Sequence, residues 1–600
     1  MLLEWLLIGI TIALGVRALG LGERYAALLL ASMTLAGAAL AVATTSVQAP
    51  PPAPIAQRGE GFVTSNACRS CHPAEYSSWH GSYHRSMTQA AELTRVAAAE
   101  LRQGGRLHLE TTGRTVELFS RRGELWARLP DPGVTSAAKS GSYEASFQAA
   151  PIRDARVQLL TGSHHQQAFW VNGARSGELR ALPVVYLIDE QRLIARRDAF
   201  LNPPDAAEQA VRWNSNCVQC HAVAGAPAHD RERDAFATSA AELGIACEAC
   251  HGAGAQHVSA MQNPLTRYRA YAGVKPEHQL VNPKLLASDR ASQVCGRCHS
   301  YFFPKHEAEW WKDGFSKSYA PGQDLTAAEL LLSLDVLAAP GAPELQASAD
   351  SLFYRDGTIR VGGREYNGLV RSPCYERGHG QKQLSCLSCH SMHQGAADDQ
   401  LDPEKQGNRA CTQCHAAHAA NVSAHTHHAA SSPGSVCYNC HMPHTSYALL
   451  GAIRSHRVDS PTFDQRTRDR PNACNLCHLE QSEAWAATQT AAWYGQKPSF
   501  VLERAPVSTP AGAVFALAGD AAVRAITAAA LGRHQSSNDA LALRQQLLTE
   551  LERDGYAAVR AIAERSRRGL ANTPSPAALS AESVAQLLAT RDHRPITIAE

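Results

Sequence analysis

The amino-acid sequence predicts a mainly α-helical protein with a small β-rich insertion, one or two N-terminal transmembrane segments and a C-terminal α-helical region. Three observations support this fold class. A short cysteine pattern recurs eight times between residues 68 and 478, often too closely spaced for ordinary domains to fit between its copies. Residues 100–195 alternate polar and apolar side chains, which is typical of strands. Residues 481–600 are rich in alanine, which favours helix.

Two apolar segments open the chain, at residues 2–16 and 25–43, within an N-terminal region that spans residues 1–49. Each segment is near the lower length limit for a membrane span, about 17–20 residues. Arg17 and Arg24 would hold the stretch between them in the cytoplasm, which leaves the rest of the chain outside the inner membrane. In the alternative interpretation this region is one signal peptide with an Ala-Val-Ala cleavage site. A retained anchor is the favoured prediction.

The recurring pattern is Cys-x-x-Cys followed at once by histidine. Histidine is 27 of 600 residues, yet it follows all eight cysteine pairs, and the eight pairs plus Cys374 make up the 17 cysteines. A disulfide framework, zinc sites or thiol redox pairs would not require this histidine. Cys-x-x-Cys-His is the attachment signature of c-type haem. The predicted attachment residues are Cys68, Cys71, Cys217, Cys220, Cys247, Cys250, Cys295, Cys298, Cys386, Cys389, Cys411, Cys414, Cys437, Cys440, Cys474 and Cys477.

In such a motif two thioethers fix the porphyrin, and the adjacent histidine ligates the iron from the proximal side. The sequence therefore predicts eight covalently attached c-type haems, each with an iron. The proximal ligands would be His72, His221, His251, His299, His390, His415, His441 and His478.

The spacing of the motifs indicates that the haems form the core. The first cysteines of the last four motifs lie 25, 26 and 37 residues apart, and chains below roughly 40 residues rarely bury a core of their own. Short helices and turns would wrap closely packed porphyrins. Haem segments are predicted at residues 50–99, 213–306 and 371–480, with a connector at 307–370.

Histidines are also the best candidates for the distal iron ligands. Nineteen histidines lie outside the motifs, whereas Met87, Met261, Met392 and Met442 are the only methionines beyond the N-terminal region. Mostly bis-His haems of low potential are therefore expected. Several other histidines flank the motifs, including His425, His427 and His444, so the pairing of ligands with haems stays open. The distal candidates are His84, His257, His393, His428 and His456.

The remaining segments carry other patterns. The β-rich insertion is predicted at residues 100–212, where glycine-containing turns separate alternating stretches. The connector is expected to hold one helix, Leu325 to Leu337, and a hairpin that turns at Asp356-Gly357. In the C-terminal region, residues 519–527 and 554–563 share an Ala-Val-Arg-Ala-Ile core. This repetition favours paired helices, either of HEAT type or as a simple helical cap.

These residues suggest a family. Cys68-x-x-Cys-His72-Pro-Ala-Glu-Tyr-Ser-Ser-Trp79-His-Gly-Ser-Tyr-His84 resembles the opening haem segment of cytochrome c554-like proteins, which carry a cytochrome c-552/4 domain. The likeness extends over roughly residues 60–490 and implies kinship with the hydroxylamine oxidoreductase and nitrite reductase superfamily. It also implies that His84 and His257 are distal ligands. Pentahaem nitrite reductases mark their catalytic haem with lysine in place of the motif histidine, and this chain has no such motif.

The leading functional hypothesis is a periplasmic, membrane-anchored octahaem cytochrome that transfers electrons along stacked haems. Its partners would be membrane quinol or cytochrome donors and periplasmic redox proteins, met on the periplasmic side of the inner membrane, where c-type haem is attached. If the N-terminal region is a cleaved signal, the protein is instead soluble in the periplasm. A net charge of +2 gives no support for nucleic-acid binding.

Two alternatives stay open. One is an octahaem oxidoreductase that acts on a small nitrogen or sulfur compound at one haem with an open sixth site. Cys374 and its neighbours Tyr375, Arg377 and His379 are the candidate catalytic residues, although Cys374 could equally be a buried structural cysteine. The other alternative is a haem-based sensor or scaffold that uses the C-terminal repeats to bind a partner.

Overall fold

The structure is a computed structural model of the chain. It describes residues 10–11, 14–15, 32, 55–59, 61–97, 101, 104–133, 143–206, 211–339, 343–464, 469–496, 506–533, 539–570 and 577–598. All eight Cys-x-x-Cys-His motifs lie within these ranges.

The first motif leads directly into helix. A proline follows His72 and starts the helix at its first position, where its missing N–H costs no hydrogen bond. Trp79 on this helix is buried, and its indole N–H donates to the carbonyl of Ile245 at 2.8 Å. The elements of this part are β1 (Ala56–Gln57), α1 (Pro73–His80), α2 (Tyr83–Ser86) and β2 (Thr88–Ala90).

An eight-stranded antiparallel sheet follows. Its strands run in the order β3 to β9, and β2 joins as an additional neighbour of β6. The first and last strands of this path also approach each other, so the sheet is barrel-like. Its remaining elements are β3 (Gly105–Leu109), β4 (Arg114–Arg121), β5 (Glu124–Pro130), α3 (Tyr143–Ala149), β6 (Ile152–Thr161), β7 (Gln166–Asn172), β8 (Leu179–Leu187) and β9 (Arg192–Ala195).

The alternating pattern of the sequence builds the interior of this sheet. Val116, Leu118, Leu125 and Phe169 are fully buried in one apolar cluster, whereas Glu117, between the first two, is only partly buried. Successive strand residues face opposite sides, so the same alternation that predicts the strands also fills the core.

The predicted fold class, mainly α with a small β-rich insertion, is wrong because it underestimates the β-sheet. The sheet is a large barrel-like unit, and it begins at Thr88, inside the segment expected to hold only the first haem. Short sequence patterns located the strands, but the closure of the sheet depends on distant pairings such as β2 with β6.

The transmembrane part of that fold class is also not supported. Among the residues that the structure describes, no helix is both long enough and apolar enough to span a bilayer. The two N-terminal apolar segments fall almost wholly outside the described residues.

Motifs two to four lie in short helices joined by small two-stranded ladders. The helices are α4 (Trp213–Asn216), α5 (Val218–His221), α6 (Cys247–His251), α7 (Ala255–Gln262), α8 (Pro264–Tyr271) and α9 (Ser288–Gly296). The strands are β10 (Ala222–Val223), β11 (His229–Asp230), β12 (Ala235–Phe236), β13 (Ser239–Ala240) and β14 (Glu242–Leu243).

The connector does not contain the single helix expected from Leu325 to Leu337. That stretch forms a 3-10 turn, the strand β16 and a one-turn helix. Strand pairing with β15 overrides the local helical preference. The elements are β15 (Phe302–Pro304), α10 (Glu307–Asp313), β16 (Glu329–Leu331), α11 (Leu334–Leu337), α12 (Pro343–Leu352) and α13 (Glu365–Leu369). The turn at Gly357 forms as predicted, with Phe353 bridging to Ile359.

The last four motifs lie among the shortest elements of the chain. These are α14 (Pro373–Glu376), α15 (Arg409–Thr412), α16 (Val422–Thr426), α17 (Cys437–His441), β17 (Ser446–Ala448) and β18 (Gly451–Ile453). None exceeds five residues, so packing within this segment depends on groups other than an apolar core.

The C-terminal region is helical, as predicted. It contains α18 (Glu483–Tyr494), α19 (Ala511–Ala513), α20 (Ala521–Gly532), α21 (Asp539–Leu551), α22 (Ala557–Arg568) and α23 (Ala581–Ala589). The two repeated Ala-Val-Arg-Ala-Ile cores lie on α20 and α22, which pack against each other. Their apolar side chains share one cluster with Val185 of the sheet and Phe353 of the connector. The C-terminal helices therefore pack against both the sheet and the connector.

Candidate haem-binding sites

Each Cys-x-x-Cys-His motif folds into one helical turn. In six motifs the backbone N–H of the histidine donates to the carbonyl of the first cysteine at 2.8–3.0 Å, and the other two motifs form α6 and α17. Residues three and four apart on a helix share a face. Both cysteines and the histidine of a motif therefore point toward the same side, as the thioethers and the iron ligand of one porphyrin require.

The sulfur atoms are available for these bonds. All 17 cysteines are free thiols, and none of the motifs is closed by a disulfide. Within the described residues, no three His, Cys, Asp or Glu side chains converge as they would around a bare metal ion. The histidines are instead arranged in opposed pairs.

Five proximal histidines face a second imidazole ring at a nearly constant separation. A metal–imidazole bond of about 2 Å on each side, with half the depth of each ring added, places two ligating rings about 6 Å apart between centres. The pairs and the distances between their ring centres are His299–His84 at 6.3 Å, His251–His393 at 6.1 Å, His390–His456 at 6.2 Å, His441–His425 at 6.3 Å and His478–His428 at 6.1 Å. The spacing fits one iron between each pair.

Hydrogen bonds at the other ring nitrogen orient several of these imidazoles. An Nδ1–H that donates to a carbonyl holds the ring in one orientation and leaves Nε2 free for the metal. The Nδ1 bonds to backbone carbonyls are those of His251 to Val281 at 2.7 Å, His390 to Asp399 at 3.0 Å, His441 to Asp459 at 2.9 Å and His428 to Thr426 at 2.6 Å. The residues present therefore fit haem iron in donor type, spacing and orientation.

His299 differs, because its Nδ1–H donates to a carboxylate. The acceptor is Oε2 of Glu365, at 2.7 Å. For the polypeptide by itself, burial disfavours the charged ring, but the bond to Glu365 outweighs burial and raises the pKa of His299 to about 9. Burial likewise opposes a charge on Glu365, yet the bond from His299 lowers the pKa of Glu365 below its usual range. A short hydrogen bond to a carboxylate thus orients this imidazole through its Nδ1–H.

Four of the five distal candidates face a proximal ring in the structure, namely His84, His393, His428 and His456. His257 does not do so among the described residues. Its Nδ1 bonds to the carbonyl of His278 at 3.2 Å instead. His425, which the sequence reasoning left among the unassigned histidines, lies opposite His441. The available signal was its position before the seventh motif, which it shares with His427 and His428.

The remaining proximal histidines are His72, His221 and His415. We find no second imidazole at this separation from them within the described ranges. His221 is deeply placed, and burial lowers its pKa to about 4. Its Nδ1 has no hydrogen-bond partner among the described residues.

The side chains around Cys374 are divided between interior and surface. Cys374 and Tyr375 are half-buried, whereas Arg377 and His379 are exposed. Burial raises the pKa of Cys374, and the nearby Cys414 thiol of the sixth motif adds to this. The structure therefore places Cys374 beside a haem motif, and it does not bury the arginine and the histidine with it.

Cysteines of different motifs lie side by side. Hydrogen bonding between thiols lowers the pKa of Cys247 to about 7 and that of Cys298 to about 6. The Cys298 sulfur lies 3.9 Å from the carbonyl oxygen of Cys220. The adjacent thiols are Cys68 with Cys247, Cys220 with Cys298, and Cys295 with Cys386. These contacts join motif one to three, two to four, and four to five.

Further neighbours link the other motifs. Burial, followed by the nearby Cys298 thiol, raises the pKa of Cys250 to about 11. Motif three is therefore a neighbour of motif four. Burial, followed by the nearby Cys474 and Cys477 thiols, raises the pKa of Cys440 to about 11. Motif seven is therefore a neighbour of motif eight. The remaining neighbours are Cys389 with Cys414 and Cys411 with Cys437. The motifs thus form one series, one–three–four–five–six–seven–eight, with motif two joined at motif four.

Comparison with known proteins agrees with this class of site. The family model described as cytochrome c554 and c-prime matches residues 67–112 and 195–252, which contain motifs one to three. The model of a doubled CXXCH motif matches residues 379–420, which contain motifs five and six. Most of the eight-stranded sheet lies between the two segments of the first match.

A solved structure, the outer cell wall cytochrome OcwA, is similar to this chain. It has 17% sequence identity and a TM-score of 0.46, over 85% of this chain and 99% of that one. The motifs and the family matches identify the protein as a multihaem c-type cytochrome.

Proposed function

We propose that the protein is an octahaem electron-transfer cytochrome that works outside the cytoplasm, with mostly bis-His haems. Haem iron supplies one-electron chemistry when it is bound, and the polypeptide supplies ligands, orientation and spacing. Outer-sphere transfer requires only that electrons enter and leave, so no substrate pocket is needed.

The observation that carries the proposal is the set of five opposed imidazole pairs. Two histidines on one iron fill both axial positions, and such a centre exchanges electrons without binding a substrate. Met would raise the potential relative to His. We therefore propose His84, His393, His456, His425 and His428 as the distal ligands of motifs four, three, five, seven and eight.

The contacts between motifs support transfer along a series. Because thiols of neighbouring motifs lie close together, the haems that they would hold would be near enough to exchange electrons. Motif four has three neighbours, so it forms a junction between motifs two, three and five. Motifs one, two and eight lie at the three ends of this branched series, which makes them candidate points of entry and exit for electrons.

The proposed partners are a redox donor and a redox acceptor outside the cytoplasm, with quinol or cytochrome donors as the first class to test. Attachment of c-type haem takes place in that compartment, which supports the location. Membership of the hydroxylamine oxidoreductase and nitrite reductase superfamily is proposed from the motif sequences alone.

Mass spectrometry and EPR of the matured holoprotein test this proposal. We expect eight covalent haems and low-spin signals from at least the five paired centres. A Cys437→Ala, Cys440→Ala variant serves as a calibration and should carry one haem fewer. Fewer than eight haems in the native protein would contradict the predicted count. A high-spin centre with turnover of hydroxylamine, nitrite or sulfite would favour the oxidoreductase alternative.

A further inference from the structure

We infer that Glu365 is a positioning residue that gives the iron centre of motif four a lower reduction potential than the other paired centres. The inference rests on the proposed function, because it takes His299 as an iron ligand. Its basis is a difference between neighbouring sites. The Nδ1 of His299 bonds to a carboxylate oxygen at 2.7 Å, whereas the Nδ1 groups of His251, His390 and His441 bond to backbone carbonyls.

Both oxygens of Glu365 accept hydrogen bonds. Oε2 accepts from His299, and Oε1 accepts from the backbone N–H of Gly363 at 2.9 Å. With iron on Nε2 of His299, Nδ1 of that ring carries a proton, and neither it nor the N–H of Gly363 can accept a proton from a carboxylic acid. The two bonds therefore favour a carboxylate, which places a full negative charge against the imidazole.

The backbone holds this carboxylate in place. Glu365 is the first residue of α13, and the N–H of the next residue, Tyr366, donates to the carbonyl of His299 at 2.9 Å. Oδ1 of Asn367 accepts from the N–H of Tyr301 at 2.7 Å, so α13 is bonded both to the ligand residue and to the residue two positions after it. Gly363 has φ +75° and makes the turn that places Oε1 of Glu365 against the N–H of Gly363.

The electronic consequence follows from charge. A carboxylate that accepts the Nδ1 proton makes the imidazole a more basic ligand. A more basic ligand stabilises ferric iron more than ferrous iron, so the centre is harder to reduce. The alternative carboxylate, Glu480, lies 3.7 Å from Nδ1 of His478, too far for a hydrogen bond of this strength. Motif four is a neighbour of three other motifs. Glu365 would therefore lower the reduction potential of the haem at which the series branches.

Spectroelectrochemical titration of the holoprotein tests the inference. Glu365→Gln keeps an acceptor oxygen but removes the charge, so one low-potential component should move upward while the others stay in place. Glu480→Gln is the matched control and should produce a smaller shift. Unchanged potentials in Glu365→Gln, with every low-spin EPR signal retained, would overturn the inference and leave the proposed function intact.

A second variant separates charge from packing. Glu365→Asp keeps the negative charge on a shorter side chain, and its potential should lie closer to the native value than that of Glu365→Gln. If the two variants shift equally, the charge is not the cause and the inference fails. The proposed function fails separately, if the native EPR spectrum lacks the low-spin signals of the paired centres.

Discussion

At the scale of single residues, the imidazole pairs give the sharpest test. On the proposed ligand pairing, His393→Ala removes the ring that faces His251 and opens the sixth position at motif three. We expect one haem to convert from low-spin to high-spin and, when reduced, to bind carbon monoxide. Resonance Raman and EPR of the variant measure the change.

His257 provides the control for this experiment. The family resemblance names it as a distal ligand, whereas in the structure its Nδ1 bonds to the carbonyl of His278. His257→Ala should therefore leave the spin state of motif three unchanged. A high-spin haem in His257→Ala, together with a low-spin spectrum in His393→Ala, would reverse the assignment.

A buried acid beside motif four should make the stability depend on pH. Glu329 is 4% exposed, and burial raises its pKa from 4.5 to about 9. Between those values the folded protein keeps a proton that the unfolded chain releases, so the stability falls as the pH rises through this window. Glu329→Gln cannot titrate, and its Tm should decline less between about pH 5 and 9.

Thermal unfolding at several pH values measures this difference. Glu277, which is exposed, gives the control, and Glu277→Gln should follow the native curve. Parallel curves for the native protein and Glu329→Gln would show that Glu329 titrates normally.

At the scale of elements, one buried ion pair fastens the C-terminal helices to the connector. Arg360 and Asp520 are 1% and 3% exposed, and their side chains form an ion pair. Asp520 also accepts hydrogen bonds from the N–H groups of Ala522 and Val523 at the start of α20. Asp520→Ala removes the helix cap and leaves Arg360 buried without its charge partner. Breaking such a pair costs about 3–5 kcal/mol. Chemical denaturation should show a loss of this size.

The double variant Arg360→Met, Asp520→Ala is the corresponding control. It removes the stranded charge, so it should recover part of the lost stability. If the double variant is no more stable than Asp520→Ala, the cost comes from packing and capping instead of the unpaired arginine.

At the scale of the whole molecule, the C-terminal helices and the haem segments should unfold together. Their largest apolar cluster runs from Val185 to Ile598, and the backbone of Ile598 bonds to that of Leu201 at 2.8 Å. We expect far-UV circular dichroism and haem absorbance to change in one thermal transition. Asp520→Ala should move both signals to the same lower temperature, and two separate transitions would contradict a shared core.

The class of this protein and the positions of its Cys-x-x-Cys-His motifs could be predicted from the sequence. Cys-x-x-Cys-His is local, so its chemistry and its helical turn need no distant partner. The repeated Ala-Val-Arg-Ala-Ile helices and the strands of the insertion were also predictable, because their periodicity lies within one element. The predicted mainly α fold was wrong, since a barrel-like sheet depends on pairings such as Thr88 with Thr161 that no local pattern reveals.

The pairing of histidines that face each other became visible in the folded structure. His84 lies 215 positions before His299 in the chain, yet their rings are 6.3 Å apart. The position of His84 in the sequence made it a candidate ligand but did not reveal its partner, and His425 was left unassigned. The contact between Glu365 and His299 could not be predicted either, because the two residues lie 66 positions apart in the chain. Each motif consists of five consecutive residues, so its chemistry can be predicted locally. Ligand pairing depends on distances between segments that meet only in the folded protein.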